Sequence, residues 1–228
     1  MFDFLNPLRE LNLLGITVRL VLAVLCGGLV GLERVYKRRP AGFRTHILVA
    51  IGACLTTATS QFLVLKMGQF TDMARLGAQV IAGVGFLGAG SIIVTRRKQV
   101  KGLTTAAGLW VIGIVGLACG LGYYEAAVYV TALLLCAELV FARLEHYIVS
   151  NTRLVNLFVE YKDANDLGAI VEKVKTFNCT VIDLEVTKSG DHHNPCVILS
   201  LQLKKREVHY QLLSGLSEMS EIVAVEEL

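Results

Sequence analysis

The sequence has few charged residues. Asp, Glu, Lys and Arg make up only 18% of its 228 residues, whereas soluble domains average about a quarter. The formal net charge is +3, which is too small to indicate nucleic acid as a partner. With 54% hydrophobic residues and a mean hydropathy of +0.58, the composition disfavours a water-soluble enzyme.

Sequence motifs of catalysis and metal binding are also absent. The six cysteines include no C-x-x-C pair, so we expect free thiols rather than a disulfide framework or a zinc site. The sequence contains no recognisable pairing of a nucleophile with a general base and no phosphate-binding loop. We therefore predict no catalytic residues, no enzymatic activity and no cofactor. Whether Mg²⁺ or another metal binds stays open, because the sequence alone does not establish it.

Charge is unevenly distributed along the chain. Residues 1–145 contain 14 Lys and Arg against 7 Asp and Glu, and residues 146–228 contain 8 against 12. We therefore expect two domains, an apolar and basic one over 1–145 and a smaller, acidic one over 153–228.

Five apolar stretches in the first domain are long enough to cross a bilayer, which takes about 20 helical residues. Backbone groups in lipid have to be hydrogen-bonded within the protein, so we predict an α-helical bundle of five transmembrane helices. The stretches are residues 13–32, 46–65, 76–95, 103–122 and 124–142.

Basic residues lie beside alternate ends of these stretches. The connections after the first and third stretches hold nine Lys and Arg, whereas the opposite side holds three. Because cytoplasmic loops are enriched in Lys and Arg, we expect both basic connections in the cytoplasm. Five spans then predict a multi-pass membrane protein with its N-terminus outside and its acidic domain in the cytoplasm.

Small residues are concentrated in the apolar domain, which contains 18 of the 21 glycines. Stripes of small residues let helix backbones approach closely, although so much glycine also fits the broken helices of a substrate path. The segment 83–88 matches the dinucleotide fingerprint G-x-G-x-x-G, but it lies within a span and has no acidic residue 20 positions later. We therefore assign the glycines of this segment, Gly83, Gly85 and Gly88, together with the nearby Gly90, to helix packing.

A few polar side chains interrupt or border the apolar stretches. Because an ionised side chain at the bilayer centre costs roughly 2.5–3.5 kcal/mol, such groups are candidates for function. Glu33 and Arg34 are one short loop from His46, where an ion pair that fixes the hairpin and a cation site are both open. Gln79 is expected to need a hydrogen bond from another helix or a ligand. The candidates are Glu33, Arg34, His46, Gln79, Thr104 and Thr105.

Two further charged residues, Arg19 and Glu138, lie near the ends of their spans. Long side chains at such positions commonly reach the membrane interface, and we expect both to do so.

Four motifs, in order along the chain, resemble the bacterial MgtC/SapB family. They are Gly31-Leu32-Glu33-Arg34, Ala41-Gly42-Phe43-Arg44-Thr45-His46, Ala78-Gln79-Val80 running into the glycines up to Gly90, and Gly102-Leu103-Thr104-Thr105. The resemblance covers roughly residues 15–140. It implies an inner-membrane protein associated with growth and survival under magnesium limitation, and in some pathogens with virulence. It also adds Arg44 and Thr45 to the candidate residues.

One residue departs from the family pattern. Thr104 stands where some virulence-linked members have Asn, which puts a role in host survival in doubt. The resemblance implies either of two functions. A regulatory protein that acts on another membrane protein is our leading hypothesis, and a small Mg²⁺ transporter or channel lined by Gln79 and Glu33 is the alternative.

The pattern of apolar residues changes near Arg153 to that of a small α+β domain. Val155, Leu157 and Val159 alternate as in a strand, and Asp163 is expected to cap the helix that follows. Two further strands, a second helix and a last strand near 222–226 complete the order βαββαβ of a ferredoxin-like domain. This order resembles an ACT-type regulatory domain, which larger members of the family also carry. The resemblance implies a homodimer or oligomer through this domain, with ligand sensing as the alternative.

Overall fold

A computed structural model describes residues 7–95, 99–151, 154–187, 194–203 and 208–227. Within it the chain forms two compact units, divided between Glu145 and His146. The first unit is built of helices and the second is built around a sheet.

The first unit is a bundle of long apolar helices. Asn12 caps the first of them by accepting a hydrogen bond of 2.7 Å from the Gly15 amide. Among the described residues, four helices are long and apolar enough to cross a membrane: α1, α2, α4 and the helix that begins with α5. The helices are α1 (Leu13–Tyr36), α2 (Phe43–Leu65), α3 (Arg75–Gly90), α4 (Leu103–Leu121), α5 (Tyr124–Cys136), a π-helical turn (Ala137–Phe141) and α6 (Ala142–Asn151).

The predicted third span is wrong beyond Gly90. α3 has 16 residues, and the chain after it forms a hairpin of β1 (Ile93–Val94) and β2 (Val100–Lys101). The β-branched residues of this segment favour a strand over a helix. Gly102 then starts α4 with φ of +99°, a conformation that side chains other than glycine rarely adopt.

Glycines hold α1, α2 and α4 close together. A Cβ on Gly27 would lie 2.8 Å from the His46 carbonyl oxygen, so α1 and α2 are in backbone contact there. Likewise, a Cβ on Gly116 would collide with the Ala50 carbonyl oxygen and lie 2.8 Å from Ala53 Cβ. Such close approach increases van der Waals contact between helices, as the small-residue content predicts.

α3 runs antiparallel along α4 for nearly the whole length of that helix. Near its start, a Cβ on Gly77 would lie 3.7 Å from the Leu117 side chain, and near its end a Cβ on Gly88 would lie 3.3 Å from Ala106 Cβ. Since α4 spans Leu103–Leu121, the two ends of α3 lie at opposite ends of α4.

The second unit is a four-stranded antiparallel sheet with two helices. The strands lie in the order β4-β5-β3-β6, with β4 and β6 at the edges. The elements follow the predicted order βαββαβ. They are β3 (Leu154–Tyr161), a short 3₁₀ turn (Ala164–Asp166), α7 (Leu167–Thr176), β4 (Cys179–Thr187), β5 (Cys196–Leu203), α8 (Val208–Ser217) and β6 (Ile222–Glu227).

The core of this unit lies between the sheet and the two helices. Leu157, Val159 and Leu199 of the sheet are fully buried with Ile170 of α7 and Leu212 of α8. Asp163 caps the 3₁₀ turn rather than α7 itself: its Oδ1 accepts from the Asn165 amide while Asp166 Oδ2 accepts from the Asp163 amide, each at 3.1 Å. The residue before α7 is Asp166, whose side chain makes no capping hydrogen bond to that helix.

The strand β4 contains a bulge. The register shifts between Val181 and Asp183, so Ile182 has no partner opposite it on β5. Val181, Leu184 and Val186 then pair with Leu201, Leu199 and Val197, and so they share the helix side of the sheet. An extra residue in a strand reverses the side of every residue after it.

Candidate functional site

A cluster of four charged side chains lies at one end of the bundle, where α1 meets the π-helical turn. Arg34 is 1% exposed, and its Nε donates to Glu33 Oε2 at 2.5 Å while its Nη2 donates to Glu138. Lys37 Nζ forms an ion pair with Glu33 Oε1 at 3.0 Å. Two positive and two negative groups therefore balance each other in this buried charge cluster.

The π-helical turn contributes a backbone atom to the cluster. Residues 137–141 form this turn, and the carbonyl oxygen of Glu138 accepts a hydrogen bond from Lys37 Nζ. A π turn widens the helix and leaves carbonyl groups available to outside donors, which is why such turns are frequent at functional sites. Glu138 thus holds α1 through both its side chain and its backbone.

His46 lies close to the charge cluster and is completely buried. Its Nδ1 is 2.9 Å from the Gly42 carbonyl oxygen, one turn earlier in the chain. A carbonyl oxygen only accepts, so Nδ1 carries the proton and Nε2 has a free lone pair. Among the described residues, Nε2 has no hydrogen-bonding partner, and the same holds for Nη1 of Arg34.

The opposite end of the bundle is fixed by Arg19, and the expectation that this side chain reaches the interface is wrong. Arg19 is 1% exposed and donates to Gln61 Oε1 at 2.6 Å, to the Gly120 carbonyl at 2.6 Å and to the Arg9 carbonyl at 2.5 Å. A carbonyl at the end of α4 lacks a helical partner, and a cation there is favourable. Arg19 therefore joins the ends of α2 and α4 to the N-terminal segment.

The other predicted candidates fall into two groups. Thr105 is buried, one turn before Gly108 on α4, whereas Thr104 is exposed. Arg44, Thr45 and Gln79 are exposed as well. Gln79 lies on α3, and no hydrogen bond joins it to the described residues, so it points away from the interior of this bundle. The structure thus brings Glu33, Arg34, His46 and Thr105 to one end of the bundle interior and leaves the other four outside.

The glycines assigned to helix packing also differ from one another. Gly88 is buried and approaches Ala106, whereas a Cβ on Gly83, Gly85 or Gly90 would meet nothing within 4 Å among the described residues. Gly88 is therefore the one of the four that contacts a neighbouring helix in the described part of the chain.

Sequence reasoning missed two members of the charge cluster. The sequence places Lys37 among the nine basic residues of the two cytoplasmic connections and predicts Glu138 at the membrane interface. Charge balance is the signal that could have indicated Glu138. Arg34 and Lys37 are two cations close in sequence to one anion, Glu33, and a buried group of charges needs a second anion to be neutral. The position of Glu138 along the chain gave no indication that it faces α1.

No metal centre is formed by the described residues, since no three His, Cys, Asp or Glu side chains among them meet as a metal site would require. The carboxylates of Glu33 and Glu138 are instead ion-paired with Arg34. The arrangement can hold helices in register and can accept a polar molecule at His46, but both of its carboxylates already have a cationic partner.

In the second unit, burial alters two thiols. It raises the pKa of the Cys196 thiol above its ordinary value, and the nearby Glu160 carboxylate adds to the rise. Burial alone raises the pKa of Cys179. All six cysteines are free thiols.

A bundle of apolar, membrane-length helices with a buried charge cluster at one end defines an integral membrane protein with an additional α+β unit. The chain belongs to the MgtC family, whose model matches residues 20–147. That match contains the charge cluster, His46 and all of α2 to α5.

Two named relatives from enteric bacteria are similar over the bundle. "Putative magnesium transporter YhiD" of Escherichia coli K12 is 40% identical over 131 residues, which is 56% of this chain and 60% of that protein. "Protein MgtC" of Salmonella typhimurium LT2 is 41% identical over 123 residues, 54% of this chain and 50% of that protein. The chain thus spans about half to three fifths of the curated relatives it matches.

A third relative extends further along the chain. An uncharacterized protein of Haemophilus influenzae is 32% identical over 161 residues, 68% of both chains. No solved structure matches this protein.

Proposed function

We propose that this protein serves magnesium homeostasis as a regulator that binds another membrane protein, rather than by carrying Mg²⁺ itself. Its family membership and the names of its relatives support the link to magnesium. The observation that favours regulation is the pairing of the buried carboxylates.

A Mg²⁺ path needs carboxylate or carbonyl oxygens that are free to replace the water around the ion. Glu33 and Glu138 are the acidic side chains of the buried charge cluster, and each is ion-paired with Arg34. A dication entering there would meet Arg34 and Lys37 as well, and it would have to displace both ion pairs.

The position of Gln79 supports a partner in the membrane. Gln79 is exposed on α3, where lipid offers no hydrogen bond, and an unsatisfied amide in hydrocarbon costs several kcal/mol. A neighbouring membrane protein that hydrogen-bonds to Gln79 would remove this cost. The alternative, a Mg²⁺ transporter or channel lined by Gln79 and Glu33, requires Gln79 to face a path that more than one copy builds.

We further propose that the chain crosses a bacterial inner membrane five times, with its N-terminus outside and its second unit in the cytoplasm. At 1.5 Å per residue, α3 is only about 24 Å long, which is short of the ~30 Å hydrocarbon core. Nevertheless, its ends are level with opposite ends of α4, so it crosses wherever α4 does. Reporter fusions after Lys66 and after Lys98 should lie on opposite sides, and the same side for both would exclude this topology.

For the second unit we propose an ACT-like domain that pairs with a second copy. The order βαββαβ and the edge positions of β4 and β6 support this interpretation, since an open edge strand is a template for pairing. Analytical ultracentrifugation of the full chain in detergent should give a dimer. A monomer across the micromolar range would argue against it.

Growth in low magnesium tests the regulatory role. A strain that lacks the protein should grow poorly at limiting Mg²⁺, and the wild-type chain should restore growth. Gln79→Leu should fail to restore it and should lose a membrane protein that co-purifies with the wild type. Thr56→Leu, which changes a half-buried polar residue of α2, is the control and should behave as the wild type. If Gln79→Leu supports full growth, a partner at Gln79 is excluded.

A further inference from the structure

The π-helical turn interrupts a helix that its own sequence would let continue. Residues 124–151 contain neither glycine nor proline, the residues that commonly break or kink a helix. The stretch that leads into the turn is rich in Leu and Ala, which favour the α-helix, and Ala142 and Arg143 after it favour the α-helix as well. The π-helical turn at residues 137–141 therefore needs a cause outside its own sequence.

Packing against the rest of the chain does not supply this cause. No residue of the turn is buried, and Leu139, Val140 and Phe141 are each more than 40% exposed. Leu144 and Ile148 of the following helix, α6, are exposed as well. In the described part of the chain, the side chains that donate hydrogen bonds to the turn belong to the charge cluster.

Two contacts from the end of α1 hold the turn, and both reach Glu138. Lys37 Nζ donates to its backbone carbonyl oxygen, and Arg34 Nη2 donates to its carboxylate. A side chain that inserts into the hydrogen-bond ladder of a helix distorts that helix locally. The contact of Lys37 with a main-chain carbonyl of the turn thus accounts for a distortion that the sequence does not.

We propose that the π-helical turn is a rotary hinge whose state is set by Lys37 and Arg34. With both contacts made the turn is π-helical, and without them it closes to an ordinary α-helical turn. A π turn holds one residue more than an α turn, so closure rotates α6 about its axis by one residue, roughly 100°. The boundary between the two units lies within α6, so the charge cluster would set the rotation of the helix that leads into the second unit.

The balance between the two forms is set by opposing terms. The α form regains regular hydrogen bonding, which the sequence favours. The π form has the bond from Lys37 and the ion pair with Arg34, but desolvation of buried charges offsets much of that gain. A change in the charge cluster therefore shifts the turn from one form to the other, whether the protein regulates or transports.

Electron paramagnetic resonance distances test the hinge in the full chain in lipid nanodiscs. Val128 of α5 and Leu144 of α6, both exposed, are replaced by p-acetylphenylalanine and spin-labelled there, so the native cysteines stay in place. Dilution with unlabelled chain restricts the measurement to pairs within one molecule. In a continuous α-helix these positions lie roughly 160° apart around the axis, whereas one extra residue in a turn reduces the angle to roughly 60°. The α form should therefore give a distance longer by roughly 3–5 Å.

A charge-neutral double variant removes both contacts with the turn. Lys37→Met with Glu138→Met takes away one cation and one anion, and it leaves Arg34 paired with Glu33. The remaining charges are balanced, so we expect the bundle to fold. In this variant the label distance should lengthen by roughly 3–5 Å relative to the wild type.

Arg39→Met with Glu145→Met is the matched control, because it removes one exposed cation and one exposed carboxylate. It should keep the wild-type distance. A double variant that folds and keeps the wild-type distance would overturn the proposal, as would an equal shift in the control or a wild-type chain that already shows the longer distance. If the double variant does not fold, Lys37→Met alone should lengthen the distance, and an unchanged distance there would overturn the proposal too.

Discussion

Glycines at the contact of α2 with α4 should be far less tolerant of alanine than glycines on the outer side of α3. A Cβ on Gly116 would collide with the Ala50 carbonyl oxygen and lie 2.8 Å from Ala53 Cβ, whereas one on Gly85 would meet nothing within 4 Å among the described residues. Gly116→Ala and Gly85→Ala are therefore a matched pair, since both exchange the same residues within a helix.

The expected difference follows from two opposing effects. Carbon atoms are in optimal contact at about 3.5–4.0 Å, so alanine at 116 forces α2 and α4 apart by roughly 1 Å. Overpacking of this kind costs about 1–3 kcal/mol, and the upper end applies because the neighbour is backbone. Alanine regains about 1 kcal/mol of helix propensity at either site. Gly116→Ala should thus lower the free energy of unfolding by about 2 kcal/mol, whereas Gly85→Ala should raise it by up to about 1 kcal/mol.

Unfolding by SDS in mixed micelles measures both variants. The only tryptophan, Trp110, lies on α4 and reports on this helix by its fluorescence. The ranking Gly85→Ala, wild type, Gly116→Ala from most to least stable is predicted. If Gly116→Ala is as stable as the wild type, the close contact of α2 with α4 is not as described.

Three further predictions concern the charge cluster and the second unit. Arg34→Met leaves Glu138 without its cation and Glu33 with Lys37 alone, and it should cost about 3–5 kcal/mol in the same assay. Arg34→Met combined with Glu138→Met should recover much of this loss. Because the pKa of the Cys196 thiol is raised, less of it is ionised near pH 8 in the native chain. A maleimide reacts with the thiolate, so it should label Cys196 more slowly in the native than in the denatured chain. Mass spectrometry of the labelled peptides measures both rates. Equal rates would contradict its burial. Leu199→Ala should lower the free energy of unfolding by about 2–5 kcal/mol, because Leu199 is fully buried. Leu154→Ala should change it little, because the Leu154 side chain is 54% exposed. Urea unfolding of the full chain in detergent measures both variants. Similar losses for both would place the core elsewhere.

The helices were predictable to the extent that hydropathy alone determines them. α1, α2 and α4 lie where apolar runs of sufficient length predict them, with ends that differ by no more than four residues. The end of α3 was not predictable in this way, because Ile93 and Val94 are as apolar as the helix before them. Their β-branched side chains and the backbone of Gly102 decide the change to a hairpin, and hydropathy does not record either.

The site was predictable in its residue types but not in its pairings. Glu33, Arg34 and His46 stand out as polar groups within apolar surroundings, and the structure brings them together. Sequence spacing does not tell which helix faces α1, so the role of Glu138 could not be derived. For the same reason, the sequence does not tell whether Gln79 hydrogen-bonds to another helix or to a ligand, and no described helix of this chain covers it.

Magnesium flux tests the central claim most directly. The purified full chain in liposomes loaded with a Mg²⁺-sensitive dye should give no more flux than protein-free liposomes, because the buried carboxylates are ion-paired with Arg34. Robust flux into liposomes that contain only this protein, lost in Glu33→Gln but kept in Thr56→Leu, would contradict the account and establish the transporter instead.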